Sequence, residues 1–148
     1  MEFRIDGSYG EGGGQILRTS VTLATIMKKA VEIVNIRAKR SNPGLRPQHV
    51  NAIKAMASLC NAYVENVYVG SNMIKFIPKD MQSNSIKIDV GTAGSVTMIL
   101  QTIIPAASLS GRRVEVELRG GTDVRWSTTL DYLRFVVRPA FSMLGIDF

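Results

Sequence analysis

Glu2-Phe3-Arg4-Ile5-Asp6-Gly7-Ser8-Tyr9-Gly10-Glu11-Gly12-Gly13-Gly14-Gln15-Ile16-Leu17-Arg18 is the stretch that decides how this chain folds. Phe3 and Ile5 alternate with Glu2, Arg4 and Asp6, the period of a strand with one buried face. Five of the twelve residues from Gly7 to Arg18 are glycine. They open backbone conformations closed to residues with a Cβ and allow close approach to a ligand. An apolar helix then runs from Ile16 to Lys29, with Leu17, Val21 and Ala24 on one stripe. A helix start carries unpaired N–H groups and a partial positive charge, which suits an anion. Glu11 lies inside the glycines, and Gln15 and Arg18 share one side of the opening turn. The loop reads either as a site for a phosphate or phosphate-bound metal ion, or as a glycine-rich turn with Glu11 and Arg18 solvated.

Outward from this stretch, Val31 to Ile36 is a second strand, and Pro47 pre-sets the first turn of a second helix. The stripe of that helix is Val50, Ile53, Ala57 and Cys60. Ala62 to Val69 and Met73 to Ile77 read as a strand pair joined through Gly70-Ser71-Asn72. Shifting the numbering by 83 (88 − 5 = 83) repeats the pattern, Ile5-Asp6 falling on Ile88-Asp89. Leu17 falls on Leu100, Val31-Glu32-Ile33 on Val114-Glu115-Val116, and the second stripe on Leu133, Val136, Ala140 and Met143. The expected fold is α/β (α+β): tandem βαβαββ repeats with helices on one face of each sheet. The first repeat spans 1–80 and the second, truncated to βαβα, spans 81–148. Uncovered sheet edges and helix flanks predict self-association, or pairing with a further portion of chain. Under the same shift Arg18 falls on Gln101 (101 − 18 = 83), polar among Ile99, Leu100, Ile103 and Ile104. Both side chains are expected to face one cleft; the alternative for Gln101 is an amide bonded to neighbouring backbone.

The 148 residues can bury one core, and 45% hydrophobic with 20% charged residues describes a globular chain. A net charge of +6 favours polyanionic partners. Cys60, the one cysteine, excludes a disulfide framework and a cysteine zinc site within one chain, and fits a cytoplasmic setting. No stretch is long and apolar enough to span a bilayer, so no membrane partner is expected.

The segment from Ile36 to His49 contains Arg37, Lys39, Arg40 and Arg46, stiffened by Pro43, Gly44 and Pro47. Guanidinium forks match phosphate oxygens, and a stiff loop loses little entropy on binding. This loop leaves the same end of the sheet as the glycine loop, so the two are expected to border one anion site; a solvated basic loop is the alternative. His49 reads equally as a polar residue at a helix start or as a catalyst. The segment from Arg119 to Thr129 takes the equivalent place in the second repeat. There Trp126 is expected to pack in the core rather than stack a base, and Asp123 to cap a turn rather than hold a metal.

Taken together, Glu11-Gly12-Gly13-Gly14-Gln15-Ile16-Leu17-Arg18, Ile36-Arg37-Ala38-Lys39-Arg40, Pro43-Gly44-Leu45-Arg46, Gln48-His49, Gly94-Ser95, Leu100-Gln101-Thr102 and Gly120-Gly121-Thr122-Asp123 resemble the RNA 3′-terminal phosphate cyclases from end to end. The chain looks like the amino-terminal portion of an archaeal-type member. The resemblance implies ATP-dependent conversion of an RNA 3′-terminal phosphate to a 2′,3′-cyclic phosphate through adenylylated intermediates. It implies that Glu11 binds a divalent metal (Mg or Mn). Gln15, Arg18, Gln101 and Thr128 would bind ATP or its phosphates, and Arg37, Arg40, Arg46, Gln48 and His49 the RNA phosphates. The nucleophilic histidine of the family belongs to its carboxy-terminal portion, so His49 matches a binding position and the isolated chain is expected to be inactive. Family members carry prolines after Gly-Gly-Thr-Asp; here the segment reads Arg125-Trp126-Ser127-Thr128-Thr129, with Thr128 at the adenine-contact position. Two other readings compete: a non-catalytic cyclase-like RNA-binding protein of rRNA processing, and a phosphoanion-binding unit like that of enolpyruvyl transferases.

Overall fold

Strand β1 (Glu2–Asp6) pairs in parallel with β2 (Ala30–Val34), Ile5 opposite Ile33. Parallel neighbours need a crossover, and helix α1 (Gly14–Met27) supplies it. The computed structural model describes residues 2–91 and 94–148. Helix α2 (Pro47–Cys60) leads to β3 (Tyr63–Glu65) and β4 (Ile74–Ile77). The latter lies antiparallel to both β2 and β3, giving the order β1-β2-β4-β3. A second sheet pairs β5 (Ser85–Asp89) in parallel with β6 (Glu115–Arg119), the crossover being α3 (Val96–Ser108).

This is an α/β fold whose helices share a layer, α3 packing on both α1 and α2. Ile33, Ile74 and Phe76 of the first sheet meet Leu17, Val21, Ile53 and Met56 of the helices in a fully buried core. The two halves are also joined by the buried Thr22 hydroxyl, which donates to Thr102 O at 2.9 Å. Helix α1 stops at Lys28 (φ 53°) and α2 at Asn61 (φ 47°). In each case the next N–H reaches back five residues: Lys29 to Ala24 O and Ala62 to Ala57 O, both at 3.0 Å. The strands come out shorter than expected at Val34, Glu65 and Ile74, where backbone bonds go instead to turns around Asn35 and Ser71. Among the described residues no helix is long and apolar enough to cross a membrane.

The constant offset of 83 does not hold. Gly7 N–H donates to Val34 O, and Val90 N–H to Arg119 O. These bonds match the first strands at 90 − 7 = 83 but the second at 119 − 34 = 85. Val31-Glu32-Ile33 therefore corresponds to Val116-Glu117-Leu118, the segments paired with β1 and β5. Side chains alternate with period two along a strand, so a slip of two residues preserves every inward and outward assignment and leaves no trace in the pattern.

The last stripe also departs from expectation. Leu133 is buried, but Val136 is 48% and Met143 88% exposed, and Ala140 is exposed. This stretch is α4 (Leu130–Tyr132), a π-helical turn (Leu133–Val137) and α5 (Arg138–Ser142) rather than one α-helix. Arg138 N–H bonds to Leu133 O, five residues back. Pro139 offers no N–H, and its ring would crowd the carbonyl of the residue four back in a regular helix. A widened turn relieves that crowding and shifts the following residues off a 3.6-residue stripe.

Candidate functional site

The glycine loop and the basic loop meet. Lys39 Nζ donates to Gly10 O at 3.0 Å, and Arg40 Nη2 lies 3.3 Å from Glu11 Oε2. Gly12 N–H closes the loop on Tyr9 O at 2.9 Å, and the positive φ of Gly10 (57°) and Gly12 (59°) lets the chain fold back there. No side chain caps the start of α1 at Gly13, so its first N–H groups remain available.

Arg18 is the most telling side chain. It is only 8% exposed, and its one polar side-chain contact among the described residues is Nη2 donating to Gln15 Oε1 at 2.9 Å. Among the described residues no carboxylate pairs with it, and burial lowers its pKa. A guanidinium held out of water without a counter-anion is costly unless an anion comes to it.

His49, also buried, is the third residue of α2. Its Nδ1 accepts from Arg46 N–H at 3.0 Å, which caps the helix and leaves the proton on Nε2. Burial first, then the charges of Arg18, Arg37 and Arg46, push its pKa down to about 3. The ring is therefore neutral in neutral solution and takes no part as a cation. Its Nε2 edge abuts Gly14, where a Cβ would stand 2.2 Å from Nε2.

Arg37 has left-handed backbone (φ 53°) and turns its guanidinium onto its own loop, donating Nη1 to Asn42 O and, at 3.0 Å, to Gly44 O. Burial, with Arg46 and Arg40 nearby, lowers its pKa. Arg46 is exposed beside it and Gln48 is half-buried. The basic loop is thus internally braced, with Arg40 and Arg46 the more available cations.

Gln101 and Arg18 line one cavity of about 230 Å³ with Gln15, Thr22 and Pro105. Gln101 Nε2 donates to the Thr128 hydroxyl at 3.0 Å, so its amide nitrogen bonds a side chain. Thr128 is pinned further: its carbonyl accepts from Thr97 Oγ1 at 2.7 Å, and Thr97 bonds with Ser95. The sequence marked Ser95 only within the Gly94-Ser95 motif, with no role, and did not mark Thr97; hydroxyls at an apolar helix start are the signal that could have found their part. Two expectations fail in the loop before Thr128. Trp126 is 87% exposed, held there by left-handed backbone (φ 66°), and packs in no core. The turn is closed by Ser127, whose N–H and hydroxyl both donate to Val124 O, and among the described residues Asp123 caps none.

Glu11 is 91% exposed; among the described residues no three metal-ligating side chains cluster. One carboxylate is nonetheless the usual protein share for a hard divalent ion that completes its shell from phosphate and water. Glu11 fits that role, in competition with Arg40.

These features define a class: an α/β protein in which two loops and a helix start collect cations around a buried arginine that pairs with no carboxylate among the described residues. A sequence profile of the family described as RNA 3′-terminal phosphate cyclase matches residues 9–148. Proteins named RNA 3′-terminal phosphate cyclase from Pyrococcus furiosus, Pyrococcus abyssi and Hyperthermus butylicus are 53%, 52% and 51% identical over 97%, 96% and 97% of this chain. The chain belongs to the RNA 3′-terminal phosphate cyclase family. It covers 42%, 42% and 40% of those relatives, about two fifths of their length.

Proposed function

We propose that this chain furnishes the phosphate-gripping part of an enzyme that uses ATP to close an RNA 3′-terminal phosphate into a 2′,3′-cyclic phosphate. The observation that carries the reading is Arg18: a buried guanidinium that meets no carboxylate among the described residues, beside the uncapped start of α1. Arg18, Gln15 and Gln101 bind the nucleotide phosphates, with the α1 N–H groups donating to the same oxygens. Thr128, fixed by Thr97 and Gln101, borders the adenine. Arg40, Arg46 and Gln48 bind RNA phosphates, while Arg37 chiefly holds their loop in shape. Neutral His49 offers its Nε2–H to a phosphate oxygen and wedges α2 against the glycine loop.

Glu11 would hold a magnesium or manganese ion on the polyphosphate. When bound, such an ion would draw negative charge off the phosphate oxygens. Arg40, released from Glu11, would then turn to a phosphate. The histidine that takes up AMP is expected outside these 148 residues, so the chain alone should acquire no AMP adduct.

The Glu11–Arg40 ion pair favours a second reading, a non-catalytic RNA-binding relative in which the carboxylate merely tempers the basic loop. One experiment separates them: protection of the chain against thermal unfolding by ATP, with and without magnesium. The enzyme reading expects protection that requires magnesium and disappears in Glu11→Ala. Protection indifferent to both leaves the RNA-binding reading.

A further inference from the structure

We infer that Trp126 and Arg125 form a stacking platform for a nucleobase beside the Gln101–Thr128 end of the cleft. This rests on the reading above for where the nucleotide and RNA lie. The indole is 87% exposed, an unfavourable position for the largest apolar side chain, and it is held there rather than left loose. Its backbone is left-handed (φ 66°), a conformation that residues with a Cβ adopt at a cost and that concentrates at ligand sites. Ser127 locks the turn from the following position, its N–H and hydroxyl reaching Val124 O at 3.1 and 2.6 Å.

The Arg125 guanidinium sits 5.3 Å from the ring centroid, within cation–π range. It covers one side of the indole, and the exposure of the ring leaves the other open. Two residues on, Thr128 is fastened to Gln101 and Thr97. The platform is therefore anchored to the wall that Gln101 shares with Arg18. An open aromatic face with a cation on its other side stacks any base and attracts the neighbouring phosphate. The ligand is thus a nucleobase of any identity, from the RNA end or from the nucleotide.

Trp126 is the only tryptophan, so its own fluorescence reports the contact. The intact chain is titrated with a 3′-phosphorylated hexaribonucleotide, with an abasic oligomer of equal phosphate number, and with AMP, binding being followed separately by anisotropy. The hexamer should quench the indole, and Trp126→Ala should weaken its binding roughly five- to hundredfold. Trp126→Phe should restore most of that loss. The abasic oligomer should bind without quenching and be indifferent to either substitution. Quenching by AMP alone, with none from the hexamer, assigns the base to the nucleotide rather than to RNA. Equal behaviour of hexamer and abasic oligomer on the wild-type chain overturns the platform, as does hexamer affinity unchanged in Trp126→Ala with no quenching by AMP. Failure of both oligomers to bind overturns instead the assignment of RNA phosphates to this mouth, and with it any RNA platform.

Discussion

Gly14 and His49 fit one another: the space a Cβ would need on Gly14 is filled by the His49 ring, 2.2 Å from Nε2. The contact joins the first residue of α1 to the first turn of α2 and sets how the two loops face each other.

Gly14→Ala should therefore destabilise the chain by about 1–3 kcal/mol, the usual cost of overpacking. Pairing it with His49→Ala should recover part of the loss, because the second change removes the obstacle. Urea unfolding of both single variants and the double variant measures the coupling. Strict additivity would show that the contact carries no weight.

Acid should loosen the protein through His49. The folded imidazole has its pKa near 3, and an unfolded histidine titrates near 6.5. Between those values the unfolded chain binds more protons, so this contribution is complete above about pH 6.5 and declines as pH falls. The loss is roughly 1.4 kcal/mol per pH unit until the folded pKa is reached. Urea midpoints from pH 7 to 4 should fall less steeply in His49→Gln than in the wild type.

Arg18→Met should move stability and binding in opposite directions. Replacing an unpaired buried cation with an apolar chain of similar reach should raise unfolding free energy by on the order of 1–3 kcal/mol. Pyrophosphate or ATP affinity should drop at least about tenfold, the worth of a charge-assisted bond. Calorimetric unfolding and a ligand titration check the two halves. Reduced stability would mean that Arg18 is structural.

RNA affinity should fall with salt, and Arg40→Ala and Arg46→Ala should each reduce the slope of log K against log salt by about one. Arg37→Ala should in addition lower stability, because its guanidinium holds the carbonyls of Asn42 and Gly44. Slopes unchanged from the wild type in all three variants would remove the basic loop from the RNA contact.

Concentration-dependent light scattering should show self-association. Phe135, Met143 and Leu144 are 72%, 88% and 76% exposed along the last helical segment, and β6 has no strand on its far side among the described residues. A uniform monomer at micromolar concentration would contradict this.

Much of the fold was legible because period and punctuation agreed. Alternation at Phe3 and Ile5, the stripe from Leu17 to Ala24, and Pro47 at a helix start all marked elements that formed. The order of strands and helices also indicated which loops would meet, since both leave one end of the sheet, and Glu11 with Arg40 and Gly14 with His49 do so. What failed was information the pattern does not hold. A two-residue slip at β6 is invisible to a two-residue period. The π-helical turn at Leu133 reflects a proline six residues downstream and not local hydrophobicity. Trp126 was misplaced because side-chain size points inward by default, while its backbone conformation turns it outward. Ser95 was quoted without a role and Thr97 went unnoticed because buried hydroxyls gain meaning only from partners such as Thr128.

The junction between the sheets has a consequence for how the molecule comes apart. Gln82 and Ser83 N–H groups hang from Leu59 O, whereas Asn84 O receives Glu115 N–H and Asn84 Oδ1 receives Arg112. Among the described residues no ladder bond runs from one sheet to the other. A protease nick after Ser83 would sever no strand pairing, and the two fragments would stay docked through the seam between α3 and its neighbours α1 and α2. The molecule is in that sense a complementation pair whose halves happen to share one backbone.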